Sequence, residues 1–143
     1  MPKEENKEVV RRVFEEVWTK KTLKLIDDLY DPNFVNHNPD PNQTPDREGL
    51  KQGIKNVLDA FPDIKVTIED LIAENDKVVA RVTITGTHKG KFISTLPTNR
   101  QITFPVITIN RFASHKIIEK WSLSDSLAML LQLGVIPPLQ QSS

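Results

Sequence analysis

Asp63-Ile64-Lys65-Val66-Thr67-Ile68-Glu69 alternates apolar and polar residues, which is the period of a strand with one dry face and one wet face. Everything before it runs on a longer period. Val10, Phe14, Val17 and Trp18 recur at helical spacing within residues 4–20, with Val9 and Val13 beside them and Lys, Arg and Glu opposite. A second, shorter helix is expected near 22–30 through Leu23, Ile26, Leu29 and Tyr30, with Asp31-Pro32 to stop it. Asn33 to His37 reads as a short extended piece. The proline-rich run Asn38 to Pro45 is too short to separate domains and reads as an ordered surface loop. Thr44-Pro45, followed by Asp46 and Glu48, then opens a third helix through Leu50, Ile54, Val57, Leu58 and Phe61, which Pro62 ends.

After the quoted stretch the period stays at two. Asn75-Asp76 predicts a turn, and Val78, Ala80, Val82 and Ile84 then alternate with Val79, Arg81, Thr83 and Thr85. A loop from Gly86 to Arg100 contains a tight turn at Pro97-Thr98-Asn99. Gln101 to Phe112 reads as a long strand in which Pro105 marks an edge or a bulge. Ser114-His115 turns the chain into a last strand, Ile117 to Leu123. Ser124 or Asp125 caps a closing helix through Leu127, Leu130, Leu131 and Leu133, which Gly134 ends; the tail, 136–143, is expected to fray.

Helices followed by four antiparallel strands make an α+β pattern: a curved antiparallel sheet packed against three N-terminal helices, with a short C-terminal helix. Four strands cannot close a barrel of ordinary size, so the sheet bends, the helices fill its open side, and a pocket for an apolar small molecule results. At 143 residues one domain, 1–143, is expected, and a chain of this size buries roughly two-thirds of its unfolded surface.

The bulk properties narrow the function. Nineteen basic residues balance 19 acidic ones, which argues against a nucleic-acid or membrane partner. There are no cysteines, hence neither disulfides nor thiolate chemistry. The charged start, Met1 to Asn6, has no signal-peptide core and no stretch is apolar enough for a membrane span, so a cytoplasmic location is expected. Three widely spaced histidines without an HExxH pattern make a poor metal set. No nucleophile elbow, phosphate loop or dinucleotide fingerprint occurs.

Several markers, in this order and spacing, resemble the SnoaL-like polyketide cyclase family within the NTF2-like fold shared with ketosteroid isomerases. They are Asp31-Pro32-Asn33-Phe34-Val35-Asn36-His37, Gly86-Thr87-His88-Lys89-Gly90-Lys91-Phe92, Pro97-Thr98-Asn99-Arg100, and Lys116-Ile117-Ile118-Glu119-Lys120-Trp121 with Asp125 and Gln132-Leu133-Gly134. The likeness spans about residues 5 to 135. It implies a cone-shaped fold, an intramolecular aldol-type ring closure needing neither metal nor cofactor, and a homodimer through the sheet face. By position Asp125 resembles the family's acid–base aspartate and Asn36 its pocket asparagine. The family's two histidines fall at Thr108 and Lys120, which are departures from the pattern.

Read for themselves, the candidates keep two meanings each. Asp125 in an apolar pocket would be a proton-transfer base, with its pKa raised; at a helix start it is equally an N-cap. His37 either relays a proton or orders the proline-rich loop, and Asn36 either holds a substrate carbonyl or closes a turn. Trp18, Tyr30, Phe104 and Trp121 line the cavity or are plain core. Thr108, Asn110 and Lys120 are candidate substrate contacts whose inward parity depends on whether Pro105 resets the strand. His88 with Lys89 reads as solvated loop, and His115 as a turn residue. Three functions remain: a cofactor-independent cyclase (the polyketide or ester cyclase type) or isomerase acting on a hydrophobic carbonyl compound, a non-catalytic small-molecule binder, and an interaction protein whose sheet face dimerises.

Overall fold

The computed structural model describes residues 2–138; residues 139–143 of the expected frayed tail lie outside the described residues. The first helix, α1 (Pro2–Arg12), continues into a wider π-helical segment, Val13–Thr19. Phe14 and Trp18 of this segment, four residues apart and so on one face, are both turned toward the interior. A 3-10 turn, Leu23–Leu25, leads into the one-turn helix α2 (Ile26–Leu29). The chain then extends at once into β1 (Tyr30–Asn36). Asp31-Pro32 therefore does more than stop a helix: both residues already belong to the strand, since proline's fixed φ suits an edge strand where its missing N–H costs nothing.

Helix α3 (Arg47–Ala60) begins two residues later than the Thr44-Pro45 signature predicts. Its N-cap is Asp46, which accepts from the Gly49 N–H at 2.8 Å, while the Thr44 hydroxyl donates to the same carboxylate at 2.6 Å. Those two bonds hold the Asp46 carboxylate below its ordinary pKa, the Thr44 bond most. Gly49 is needed here, because a Cβ would run into the Thr44 carbonyl.

The remaining strands are β2 (Lys65–Glu74), β3 (Lys77–Thr87), β4 (Gln101–Ala113) and β5 (Lys116–Ser124), and α4 (Ser126–Leu133) closes the fold. The strand order is β1-β5-β4-β3-β2. Four strands pair antiparallel as expected, but β1 adds a fifth by running parallel to β5. The sheet is mixed rather than purely antiparallel. The turns use backbone that asparagine tolerates: Asn75 and Asn99 sit at φ 56 and 60.

Pro105 does not reset the strand. It pairs with Thr83 in unbroken register, and the irregularities fall elsewhere, between Tyr30 and Val35, between Ile68 and Asp70 and between Arg111 and Phe112. Its carbonyl accepts from the Asp125 N–H at 3.2 Å. In a strand a residue's N–H and C=O point to the same side, so the missing N–H faces the side where β5 has already ended, with Ser124 opposite Val106. β4 is a local edge there, and Gln132 of α4 finishes it by accepting from the Thr103 N–H at 2.6 Å and donating to the Thr103 carbonyl at 2.9 Å.

One apolar cluster fills the space between helices and sheet, including Val10, Val17, Ile26, Phe34, Phe61, Val82 and Ile117; full burial of such side chains contributes about 1.5–3 kcal/mol each. His88 belongs to this interior. Rather than solvated loop it is fully buried: its Nδ1 takes the Thr98 N–H at 3.2 Å and its ring lies 5.4 Å from that of Phe61. No described helix is long and apolar enough to cross a membrane.

Candidate active site

The sheet's inner face changes character across its width. On β3 it is aliphatic, with Val78, Ala80 and Val82 fully buried. On β4 it passes from Ile102, Phe104 and Val106 to Thr108 and Asn110, all buried. Register then extends the polar end sideways: Asn110 pairs with Lys120, and Lys120 pairs with Asn36, so three polar side chains lie in a row across β4, β5 and β1. Directly opposed residues share a face. Thr108 and Ser122 form the next row.

These residues border a cavity of about 880 Å³, walled by Val10, Phe14, Trp18, Tyr30, Leu50, Ile54 and Phe104 among others. Exposed residues of two loops, Asp40 to Asn42 and Lys91 to Ser94, stand at its rim. The Asn36 Oδ1 accepts the Asn38 N–H at 3.1 Å, which closes a turn and leaves its Nδ2 protons for the cavity. The turn-closing reading of Asn36 is the geometry found, and its side chain also borders the cavity. Asn110 donates from Nδ2 to the Thr108 hydroxyl at 3.2 Å. Burial raises the Tyr30 phenol above its ordinary pKa, so it stays neutral. Lys120 is the other displaced group: burial of the amine pushes it down to about 8, opposed only by the through-space attraction of Asp40. The residue is half-buried and borders the cavity.

Of the residues singled out in the sequence, Asn36, Trp18, Tyr30, Phe104, Thr108, Asn110 and Lys120 all border the cavity. Three do not. Asp125 is exposed, and its carboxylate accepts from the Ala128 N–H at 3.0 Å as the N-cap of α4. Ser124 and Ser126 border the cavity, but the aspartate between them does not. His37 and Trp121 stack on the sheet's outer face, with ring centroids 4.6 Å apart and planes 3° from parallel. There His37 meets Glu119 at 3.3 Å, and Arg111 donates to Glu119 at 2.6 Å. The hydrogen bond from Arg111 holds the Glu119 carboxyl below its usual range. The titratable side chains bordering the cavity among the described residues are Tyr30, Asp40, Asp59, Lys91 and Lys120. Sequence reasoning missed Asn38 and Ser122, which are tied together when the Asn38 Oδ1 accepts the Ser122 N–H at 2.9 Å. No group of three metal-ligating side chains occurs among the described residues.

The sequence matches the SnoaL-like polyketide cyclase family over residues 8–133. The chain belongs to that family. A protein of Bacillus cereus described as a "putative polyketide cyclase" has the same NTF2-like fold, with a TM-score of 0.81 and 32% identity over 93% of this chain and 83% of that one. AclR of Streptomyces galilaeus, described as a "putative hydroxylase", aligns with a TM-score of 0.84 and 26% identity over 97% of this chain and 87% of that one. IdmH of Streptomyces antibioticus aligns at 0.79 and 28% over 90% and 98%. No protein with a curated description matches the sequence. Membership supports a cyclase- or isomerase-type fold that takes small molecules, and the printed descriptions of two similar structures differ, one naming a hydroxylase and the other a cyclase.

Proposed function

We propose that this SnoaL-like protein is a cofactor-independent cyclase or isomerase that binds a hydrophobic carbonyl compound in the cavity and moves a proton at the carbon beside its carbonyl. The observation that carries this reading is the cavity's lining: aliphatic and aromatic side chains such as Phe14, Trp18 and Phe104 face a polar corner at its inner end, Asn36, Thr108, Asn110 and Lys120, and further polar side chains, among them Asp40, Asn56, Lys91 and Ser124, also line it. Apolar walls hold the ligand body, while converging donors fix and polarise its oxygen. The proton carrier in this reading belongs to that corner and not to Asp125, whose carboxylate is engaged as a surface cap. Asp125→Asn distinguishes the two assignments. The assay is deuterium exchange at the α-carbon of apolar ketones in D2O, followed by mass spectrometry. Catalysed exchange that survives Asp125→Asn supports the corner, and exchange lost in that variant returns the role to the aspartate.

A second reading, a carrier that holds its ligand unchanged, draws on the same outward placement of Asp125. Absence of exchange over a wide pH range, with ligand recovered intact, decides for it.

The outer face supports a homodimer. Ile72, Val79, Ile109 and Trp121 stand in register across four strands, and Ile72, Ile107 and Leu123 are exposed by 60%, 49% and 77%. An apolar face of this breadth calls for cover, and a second copy offers a self-complementary one. Light scattering of the parent chain and of Ile109→Glu reads the assembly directly: dimer for the first, monomer for the second.

A further inference from the structure

Among the described residues the cavity has one interior amine. Lys91, the other lysine that borders it, is exposed on a loop at the rim. Lys120 instead projects from the middle of β5 between Asn36 on one neighbouring strand and Asn110 on the other. Its strand neighbours Glu119 and Trp121 turn to the opposite face, where Glu119 is occupied by Arg111 and His37. Among the described residues Asp40 is the carboxylate that acts on the amine, and it does so through space from the exposed rim. The other ionisable groups facing the cavity leave it alone: the Tyr30 phenol stays neutral, and Asp59 on α3 pairs with Lys55 at 2.7 Å. A lysine so placed is an amine flanked by amide side chains, open to a ligand and without an ion-paired carboxylate.

We propose that Lys120 captures its ligand covalently, its Nζ condensing with an aldehyde or ketone group of an apolar molecule in the cavity to form an imine. This rests on the reading that the cavity takes hydrophobic carbonyl compounds, and it names the group that would act on them. The neutral amine attacks the carbonyl carbon, so a C–N bond forms as the C=O π electrons move to oxygen, which takes up a proton. The resulting carbinolamine loses its hydroxyl as water together with the nitrogen's proton, leaving C=N. Carbonyl and amine give imine and water, with no oxidant or reductant. Asn36 and Asn110, one strand away on either side, are placed to hold the oxygen during the addition. Protonated on nitrogen, the imine draws electrons from the neighbouring carbon and makes its C–H acidic, which is what aldol-type closure or isomerisation requires. Burial supplies the amine in usable form, since a lysine at about 8 has a sizeable neutral fraction near neutral pH.

The test uses the full chain with hexanal and with 2-heptanone, each with sodium cyanoborohydride to reduce any imine to a stable amine, read by intact mass and peptide mapping. The expected result is one adduct per chain, on the peptide carrying Lys120, formed at least about tenfold faster than on any surface lysine. Its rate should rise with pH around a midpoint near 8. Lys120→Arg should lose the adduct, and Lys116→Arg, on the same strand but outside the cavity, should keep it. Binding of N-phenyl-1-naphthylamine, an apolar fluorophore without a carbonyl, is followed in parallel and confirms that Lys120→Arg retains its cavity. Adducts scattered over surface lysines, or none at Lys120 while the fluorophore binds, would overturn the imine and leave the apolar site standing. Failure of the fluorophore to bind the parent chain would overturn the site as well.

Discussion

Glu119, Lys120 and Trp121 are consecutive on β5 yet live in opposite surroundings. On the outer face, Glu119 is bonded by Arg111 at 2.6 Å and meets His37 at 3.3 Å, and Trp121 lies stacked under the His37 ring. The Glu119 carboxylate thus has an answering charge, Arg111, beside it. One residue along, on the inner face, the Lys120 amine has amides for neighbours and a single distant carboxylate. Both groups have a lowered pKa, but for opposite reasons. The carboxylate is held low because its charged form is stabilised, whereas the amine is held low because its charged form is penalised. Paired charge on the outer face is compatible with stability and assembly; unpaired charge on the inner face is a cost, retained where chemistry uses it.

The contrast is sharpest in the pH dependence of stability, and Lys120→Met should show the largest effect. Below pH 8 the amine is protonated in folded and unfolded chains alike, so the parent bears the full cost of a buried cation. Between about 8 and the ordinary lysine value of 10.5 the unfolded chain binds the proton that the folded one has released, so the parent gains stability as pH rises. Above that window the amine is neutral in both states. Lys120→Met should therefore be more stable than the parent by about 3 kcal/mol at pH 7, with the gap closing toward pH 10.5. Urea denaturation at pH 7 and at pH 10 measures it; an unchanged midpoint at pH 7 would break the contrast between the two faces.

Asp125→Ala comes next. Losing the bond to the Ala128 N–H should cost about 1 kcal/mol, and Asp125→Ser should restore most of it. Binding of an apolar fluorophore should be the same in all three, because the carboxylate lies outside the cavity. The smallest effect belongs to Glu119→Gln. Its pair with Arg111 is open to solvent, so stability near neutral pH should change little. The difference between parent and variant should fade as pH falls through the lowered Glu119 pKa, since below it the parent's carboxyl is protonated too. Parallel denaturation curves from neutral pH into acid would show it.

The strands were legible where one face is dry and the other wet. Val78, Ala80, Val82 and Ile84 alternate with Val79, Arg81, Thr83 and Thr85, and the structure buries the first set. β1 was only partly legible, because Tyr30-Asp31-Pro32 reads as the end of a helix when the strand beside it, β5, is more than eighty residues away in sequence. The parity of Thr108, Asn110 and Lys120 was hidden for a related reason. A proline's effect depends on which flank of the strand is unpaired, and that follows from where β5 ends. His88 misled because a His-Lys-Gly run reads as polar loop, while the loop folds inward over Phe61. At Asp125 the plainest reading of the residues, an N-cap, is the geometry found, and the positional likeness pointed elsewhere.

The parallel pairing of β1 with β5 also bears on how the chain folds. The Asn38–Ser122 hydrogen bond joins residues 84 apart, and contacts of such separation form late because the intervening chain must first be ordered. β2 and β3 are joined by the tight turn at Asn75-Asp76, and β3 and β4 by the longer loop 88–100, so these strands pair across smaller separations in sequence. The row Asn36, Lys120, Asn110 is complete only when the first strand meets the last, so the polar row at the inner end of the cavity is expected to form after the central strands have paired.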